Sequence, residues 1–167
     1  MKKIIIMAID SKYTDLIFNE IITHEYRGKP INKERLNKKI YIYSSREEQA
    51  IRGYIKISNV NKISKLQLMK SPDYEIVKER YDKNNDFYYA MDLYDVTEFE
   101  EYLDLKCLRM FMPDINLKNY CTVIREDNPL YEIITEWDKA YSLDGNFNKD
   151  DTKVKKLIKR RHDELNK

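Results

Sequence analysis

Ile17-Phe18-Asn19-Glu20-Ile21-Ile22-Thr23-His24-Glu25-Tyr26-Arg27 is the stretch where the chain changes period. Upstream, Tyr13, Leu16, Ile17 and Ile21 recur at helical spacing, after Asp10 and Ser11 as cap residues. This predicts a helix over residues 12–22, with Lys12, Asp15, Asn19 and Glu20 on its polar face. Downstream, Glu25-Tyr26-Arg27 reads as a short strand ending at the turn signal Gly28-Lys29-Pro30. Strand residues two apart share a face, so Thr23, Glu25 and Arg27 would present a hydroxyl, a carboxylate and a guanidinium together. A guanidinium suits a phosphate or a base edge, and a carboxylate suits an amino group. The same pattern fits a surface salt bridge on an edge strand, and the pattern alone leaves both open.

Working outward, residues 4–9 form an unbroken apolar run, as in a strand buried on both faces. Residues 40–43 are β-branched and aromatic, and Ser44-Ser45-Arg46 breaks them off. Residues 51–57 alternate, with Gly53 marking a bulge or the close approach of another backbone. Residues 65–83 are helical in tendency and interrupted at Ser71-Pro72; a polar turn follows at 82–86, then a strand over 87–96. Thr97 and Glu100 have capping-box spacing, which predicts a helical turn over 97–102. The pattern weakens over 105–120, a last strand reads over 120–124, and Asn128-Pro129 opens a helix to about residue 141. This order lacks the regular alternation of a doubly wound parallel sheet. It predicts an α+β fold: a small, curled, mostly antiparallel sheet tending to a β-barrel, with flanking helices. Residues 1–142 read as one domain. Residues 143–167 read as a polar linker and a basic C-terminal helix.

The 167 residues carry 31 basic and 29 acidic side chains, a net charge of +2, so charge clustering rather than total charge must indicate a polyanionic partner. The 42% hydrophobic content argues against disorder. Cys107, Cys121, His24 and His162 lack the spacing of a cysteine–histidine metal site, so no metal and no cofactor is expected. No secretion signal or membrane-length apolar run is evident, which predicts a cytoplasmic protein without a membrane partner. Cys107 and Cys121 read as small buried residues, and Trp137 as core.

Tyr13-x-x-Leu16-Ile17-Phe18, Thr23-x-Glu25-Tyr26-Arg27, residues 39–45, residues 51–57 and residues 88–105 form an ordered set. That set resembles the ASCH domain family of the PUA-like superfamily over roughly residues 2–108. The resemblance implies a β-barrel with a helix over a cleft, binding RNA or a modified nucleotide. Its matched cleft positions are Thr23, Glu25 and Arg27, with Tyr43, Ser44 and Ser45 nearby. The family signature resembles Gly-x-Lys-x-x-Glu-x-Arg. Glu25 and Arg27 fit its last places, whereas Glu20 and Ile22 occupy those of glycine and lysine. Family members that hydrolyse nucleosides or RNA use that lysine, and Ile22 can be neither base nor nucleophile, so the balance leans away from an enzyme.

Three functions are carried forward. The first is RNA or nucleotide binding in a cleft between the first helix and the barrel. The second is an ASCH-type nucleoside or RNA hydrolase, in which Glu25, His24 or Asp92 would serve as base. The third is a protein-interaction module, for example from a mobile element. His24 reads as half-exposed on the face opposite Glu25. In the tail, Lys155, Lys156, Lys159, Arg160 and Arg161 are candidates for the nucleic-acid backbone, or simply the solvated face of a terminal helix. Strand tyrosines could stack on bases, at roughly 1–3 kcal/mol each, though most are expected to pack the sheet.

Overall fold

The computed structural model describes residues 1–80, 85–118, 120–142 and 150–167. The polar turn and the linker expected from sequence lie partly outside these, at 82–84 and 143–149. The apolar run becomes β1 (Lys3–Asp10). Asp10 then caps α1 (Ser11–Phe18) by accepting from the backbone N of Lys12. The helix stops four residues earlier than its apolar spacing predicts. Glu20 takes φ 56°, its N–H donates to the carbonyl of Ile17, and that of Ile21 donates to Leu16. This is a Schellman-type ending, in which glycine is the low-cost residue at the left-handed position. The turn sends Ile22 into the core (2% exposed) and leaves Ile21 outside.

β2 (His24–Arg27), β3 (Ile40–Ser45), β4 (Ala50–Ser64), β5 (Phe87–Asp104) and β6 (Cys121–Arg125) complete a six-stranded sheet of order β2-β5-β4-β3-β1-β6. Only β1 and β3 pair in parallel; the other pairs are antiparallel. The mostly antiparallel α+β expectation therefore stands. The sheet is curled but not closed. Ser44 and Ser45, expected to break β3, are its last two residues and pair with Ile9 and Asp10.

Gly53 is both a bulge and a close approach. Register shifts on each side of it, and a Cβ there would sit 2.0 Å from the carbonyl oxygen of Thr97. The bulge breaks the alternation read from 51–57. Ile51 faces one core cluster, Ile55 and Ile57 face the other, and Arg52 turns inward to 3% exposure. Residues 97–102, expected as a helical turn, are strand. β5 runs on to pair Glu98, Leu103 and Asp104 with Gly53, Ile51 and Ala50. Pairing with a distant strand outweighs one local cap signal.

α2 (Lys65–Met69) and α3 (Tyr74–Val77) flank the expected break at Ser71-Pro72. α4 (Leu105–Phe111), in the weakly patterned region, is capped by Asp104, which accepts from the N–H of Cys107. α5 (Pro129–Tyr141) opens on Asn128 as anticipated. α6 (Thr152–Leu165) packs Val154 and Leu157 into the cluster that holds Leu108, Ile133, Ile134 and Trp137. That cluster covers one face of the sheet. The other face, with Met7, Ile42, Ile57 and Met91, encloses Tyr13 and Ile17 of α1. No described helix is long and apolar enough to cross a membrane.

Candidate nucleic-acid interface

The curl brings the two ends of the sheet together, and Arg27 spans the seam. From β2 its Nη2 donates to the carbonyl of Ala8 on β1 at 2.7 Å, although three strands lie between β2 and β1 in the sheet order. Its Nε lies 3.0 Å from Oε1 of Glu25, and its guanidinium stands 4.7 Å from the ring centre of Tyr120. The Glu25 side chain is fully enclosed, whereas that of Arg27 keeps 17% of its surface in solvent. A third group gathers here, because Arg35 and Arg27 both act on the thiol of Cys121 and the phenol of Tyr120. Burial nevertheless dominates: it raises the Tyr120 phenol to about 12 and pushes the Cys121 thiol up. Glu25 and Arg27 are thus together, as the alternation predicted. Thr23 is not with them. It precedes β2, its Oγ1 lies 3.1 Å from Nδ1 of His24, and it lines a groove on the other side of the strand.

The serines and the tyrosine of β3 divide in the same way. Ser44 is fully buried; its Oγ donates to Glu48 Oε1 at 2.8 Å and lies 2.8 Å from Oγ1 of Thr14. The same knot holds Arg52, which donates to Asp15 and Glu98 at 2.5 Å each and to Glu48 at 2.9 Å, between the rings of Phe18 and Tyr102. This network ties α1 to β3, β4 and β5. Ser45 instead lines a rim pocket of about 340 Å³ with Arg46, Gln49 and Lys118, and Tyr43, 4% exposed and part of the core cluster, backs it. Arg46 and Lys118 are its charged lining residues, and Arg46 also pairs with Asp10 at 3.0 Å. Arg46 and Gln49 hold φ of 68° and 49°, left-handed values that are uncommon without glycine and cluster at functional loops. Beside α1, by contrast, the groove of about 430 Å³ bears four carboxylates, from Asp10, Asp15, Glu47 and Glu48, against Lys12 and Arg46.

On α6 the five tail cations differ in freedom. Lys155 pairs with Asp151, Arg160 lies 3.8 Å from Glu132, and Arg161 donates to the carbonyl of Met110 and pairs with Glu164. Lys156 and Lys159 line a surface depression with Arg160 and Lys167 and with the carboxylates Asp163 and Glu164. Sequence reasoning missed Arg35, Lys118 and Tyr120 as site residues. Nothing in their spacing marks them, since only the tertiary fold brings Arg35 and Tyr120 to the seam and Lys118 to the rim pocket. Arg46 was marked only as part of a polar break.

No protein-family model matches the sequence, and no curated protein does. Solved structures do resemble it. A crystal structure of a point mutant of ASCH from Zymomonas mobilis superposes with TM-score 0.66 at 15% identity, covering 80% of this chain and 98% of that one. ASCH from Zymomonas mobilis itself superposes with TM-score 0.65 at 16% identity, covering 78% and 93%. A hypothetical protein from Leishmania major follows at TM-score 0.50 and 11% identity, covering 81% and 94%. With identities this low the likeness is one of architecture: the fold of this chain is similar to that of ASCH from Zymomonas mobilis.

Proposed function

We propose that the protein binds a nucleic acid or a nucleotide, with phosphate received at the rim pocket and Arg27 beside it at the seam. One observation carries this: the charged residues lining the rim pocket, Arg46 and Lys118, are both cations. Two cations together suit a phosphate of the nucleic-acid backbone. Ala8, whose carbonyl accepts from Arg27, is the β1 register partner of Tyr43. In this scheme Arg27 and Ser45 face the ligand, and Tyr43, 4% exposed, backs the pocket from the core. Glu25 and Ser44 are enclosed and set the positions of Arg27 and of the α1 junction. Lys156 and Lys159 supply further backbone contacts. RNA is the favoured ligand on the ASCH resemblance. Binding rather than hydrolysis is favoured because Ile22, at the place of the family's lysine, is packed in the apolar core.

The test is titration of short single-stranded RNAs into the wild type, the Arg46→Ala/Lys118→Ala double variant and Arg27→Lys at several salt concentrations. Losing two phosphate contacts should weaken binding at low salt and lower the salt slope by about 1.4 on a single strand. Equal affinities and slopes for the wild type and the double variant would refute the proposal.

A further inference from the structure

The pairing of β2 with β5 and of β5 with β4 sets Arg27, Tyr89 and Lys62 side by side on three adjacent strands. Register partners share a face of the sheet, so the three side chains leave it on one side. A ring stands at each end of this row. The Tyr120 ring centre lies 4.7 Å from the Arg27 guanidinium, and the ring centre of Phe87, two residues before Tyr89, lies 4.5 Å from Nζ of Lys62. The order is therefore Tyr120, Arg27, Tyr89, Lys62, Phe87, with rings and cations alternating. The next row inward, Glu25 with Met91 and Val60, belongs to the interior, since Glu25 and Met91 are 1% and 0% exposed. The Phe87 end is open. At 51% exposure Phe87 is the most exposed aromatic side chain among the described residues, and Tyr89 is half-buried. Arg27 is matched by Glu25. Among the described residues Lys62 has no ion pair, its partner being the Phe87 ring, and the Tyr89 hydroxyl has no hydrogen bond.

One exposed ring is ordinary on a protein surface. Here the ring stands beside an unpaired ammonium and an unpaired phenol, both hydrogen-bond donors. A base stacked on Phe87 brings its own phosphate beside those donors, and a ring accepts any base because every base has a π-face. The base must be unpaired and unstacked to reach the ring, which a duplex does not allow without being opened. We infer that the Phe87 end of this row is a base-stacking platform that selects single-stranded over double-stranded nucleic acid, with the base on Phe87 and its phosphate held by Lys62 and the Tyr89 hydroxyl. The inference rests on the reading of the protein as a nucleic-acid binder, but not on the rim pocket as the phosphate site.

The experiment titrates the full chain with a short unstructured RNA, alone and annealed to its complement, using the wild type, Phe87→Ala, Phe87→Trp and Lys62→Ala. Phe87 and Lys62 are both exposed, so the variants keep the core, and an unchanged urea midpoint checks this. The wild type is expected to bind the single strand more tightly than the duplex. Phe87→Ala should weaken single-strand binding by about 5- to 150-fold with the salt slope unchanged, because a neutral ring is lost. Phe87→Trp should restore the affinity, and its added indole fluorescence should be quenched by the single strand. Lys62→Ala should lower the salt slope by about 0.7. Equal affinities of wild type and Phe87→Ala for the single strand, with binding still weakened in the Arg46→Ala/Lys118→Ala variant, would overturn this inference and leave the nucleic-acid reading standing. Duplex bound as tightly as single strand would overturn the selectivity. A wild type that binds neither RNA would sink both readings.

Discussion

Replacing Arg27 by alanine tests the seam most directly. The guanidinium lies 3.0 Å from a carboxylate whose side chain has no solvent exposure, and it donates to the Ala8 carbonyl at 2.7 Å. Removing one member of a buried pair costs about 3–5 kcal/mol, because the other charge stays enclosed. Arg27 keeps some contact with water, which places its pair contribution at the lower end, about 3 kcal/mol. The lost bond to Ala8 adds about 1 kcal/mol, and the contact with Tyr120 adds roughly 0.5–1 kcal/mol. A loss of about 4–5 kcal/mol is a large share of the roughly 5–15 kcal/mol that holds a domain folded. The assay is urea unfolding followed by Trp137 fluorescence, requiring an unchanged denaturant slope. The partner experiment is Arg27→Met with Glu25→Leu. Deleting both charges together should recover at least half of the loss, since no uncompensated charge remains. A cost under about 1 kcal/mol for Arg27→Ala, or a double variant costing the sum of the singles, would refute the buried-pair account. The result also governs the binding assay. Arg27→Lys keeps the charge but lacks the planar fork that holds Glu25 and Ala8 together, so it separates loss of fold from loss of ligand.

Two further outcomes follow from the core. Gly53→Ala places a Cβ 2.0 Å from the Thr97 carbonyl oxygen and 2.9 Å from the Glu98 Cα, both backbone atoms. It should cost at least about 1–3 kcal/mol in the same urea assay, and a neutral effect would mean that the β4–β5 bulge is not as described. Alkaline pH should also destabilise the fold. Burial raises the Tyr26 and Tyr120 phenols to about 12. Below about pH 10 these tyrosines are protonated in both the folded and the unfolded chain, so their contribution is fully present. Between about 10 and 12 the unfolded chain ionises first and stability falls. Unfolding free energy measured with phenolate absorbance across that range checks the sign, and a rise would contradict it.

What the chain reveals locally is decided by period and punctuation. The run at β1, the Asn128-Pro129 start of α5, the strand at Glu25-Tyr26-Arg27 and the special character of Gly53 are all consequences of nearest neighbours. α4 also had a local signal, in Asp104 as cap with Leu105, Leu108 and Phe111 three apart, but it was short. The extension of β5 through 97–104 had none, because its hydrogen-bond partners lie some fifty residues earlier. The site divides along the same line. That Glu25 and Arg27 share a face follows from strand period alone. That the pair closes a seam against Ala8 and Tyr120, that Ser44 is sealed in a knot with Arg52 while its neighbour Ser45 lies beside cations, and that His24 meets two aspartates, Asp73 and Asp92, all depend on how far the sheet curls. Curl is a collective property of six twisted strands, and no short window of residues encodes it.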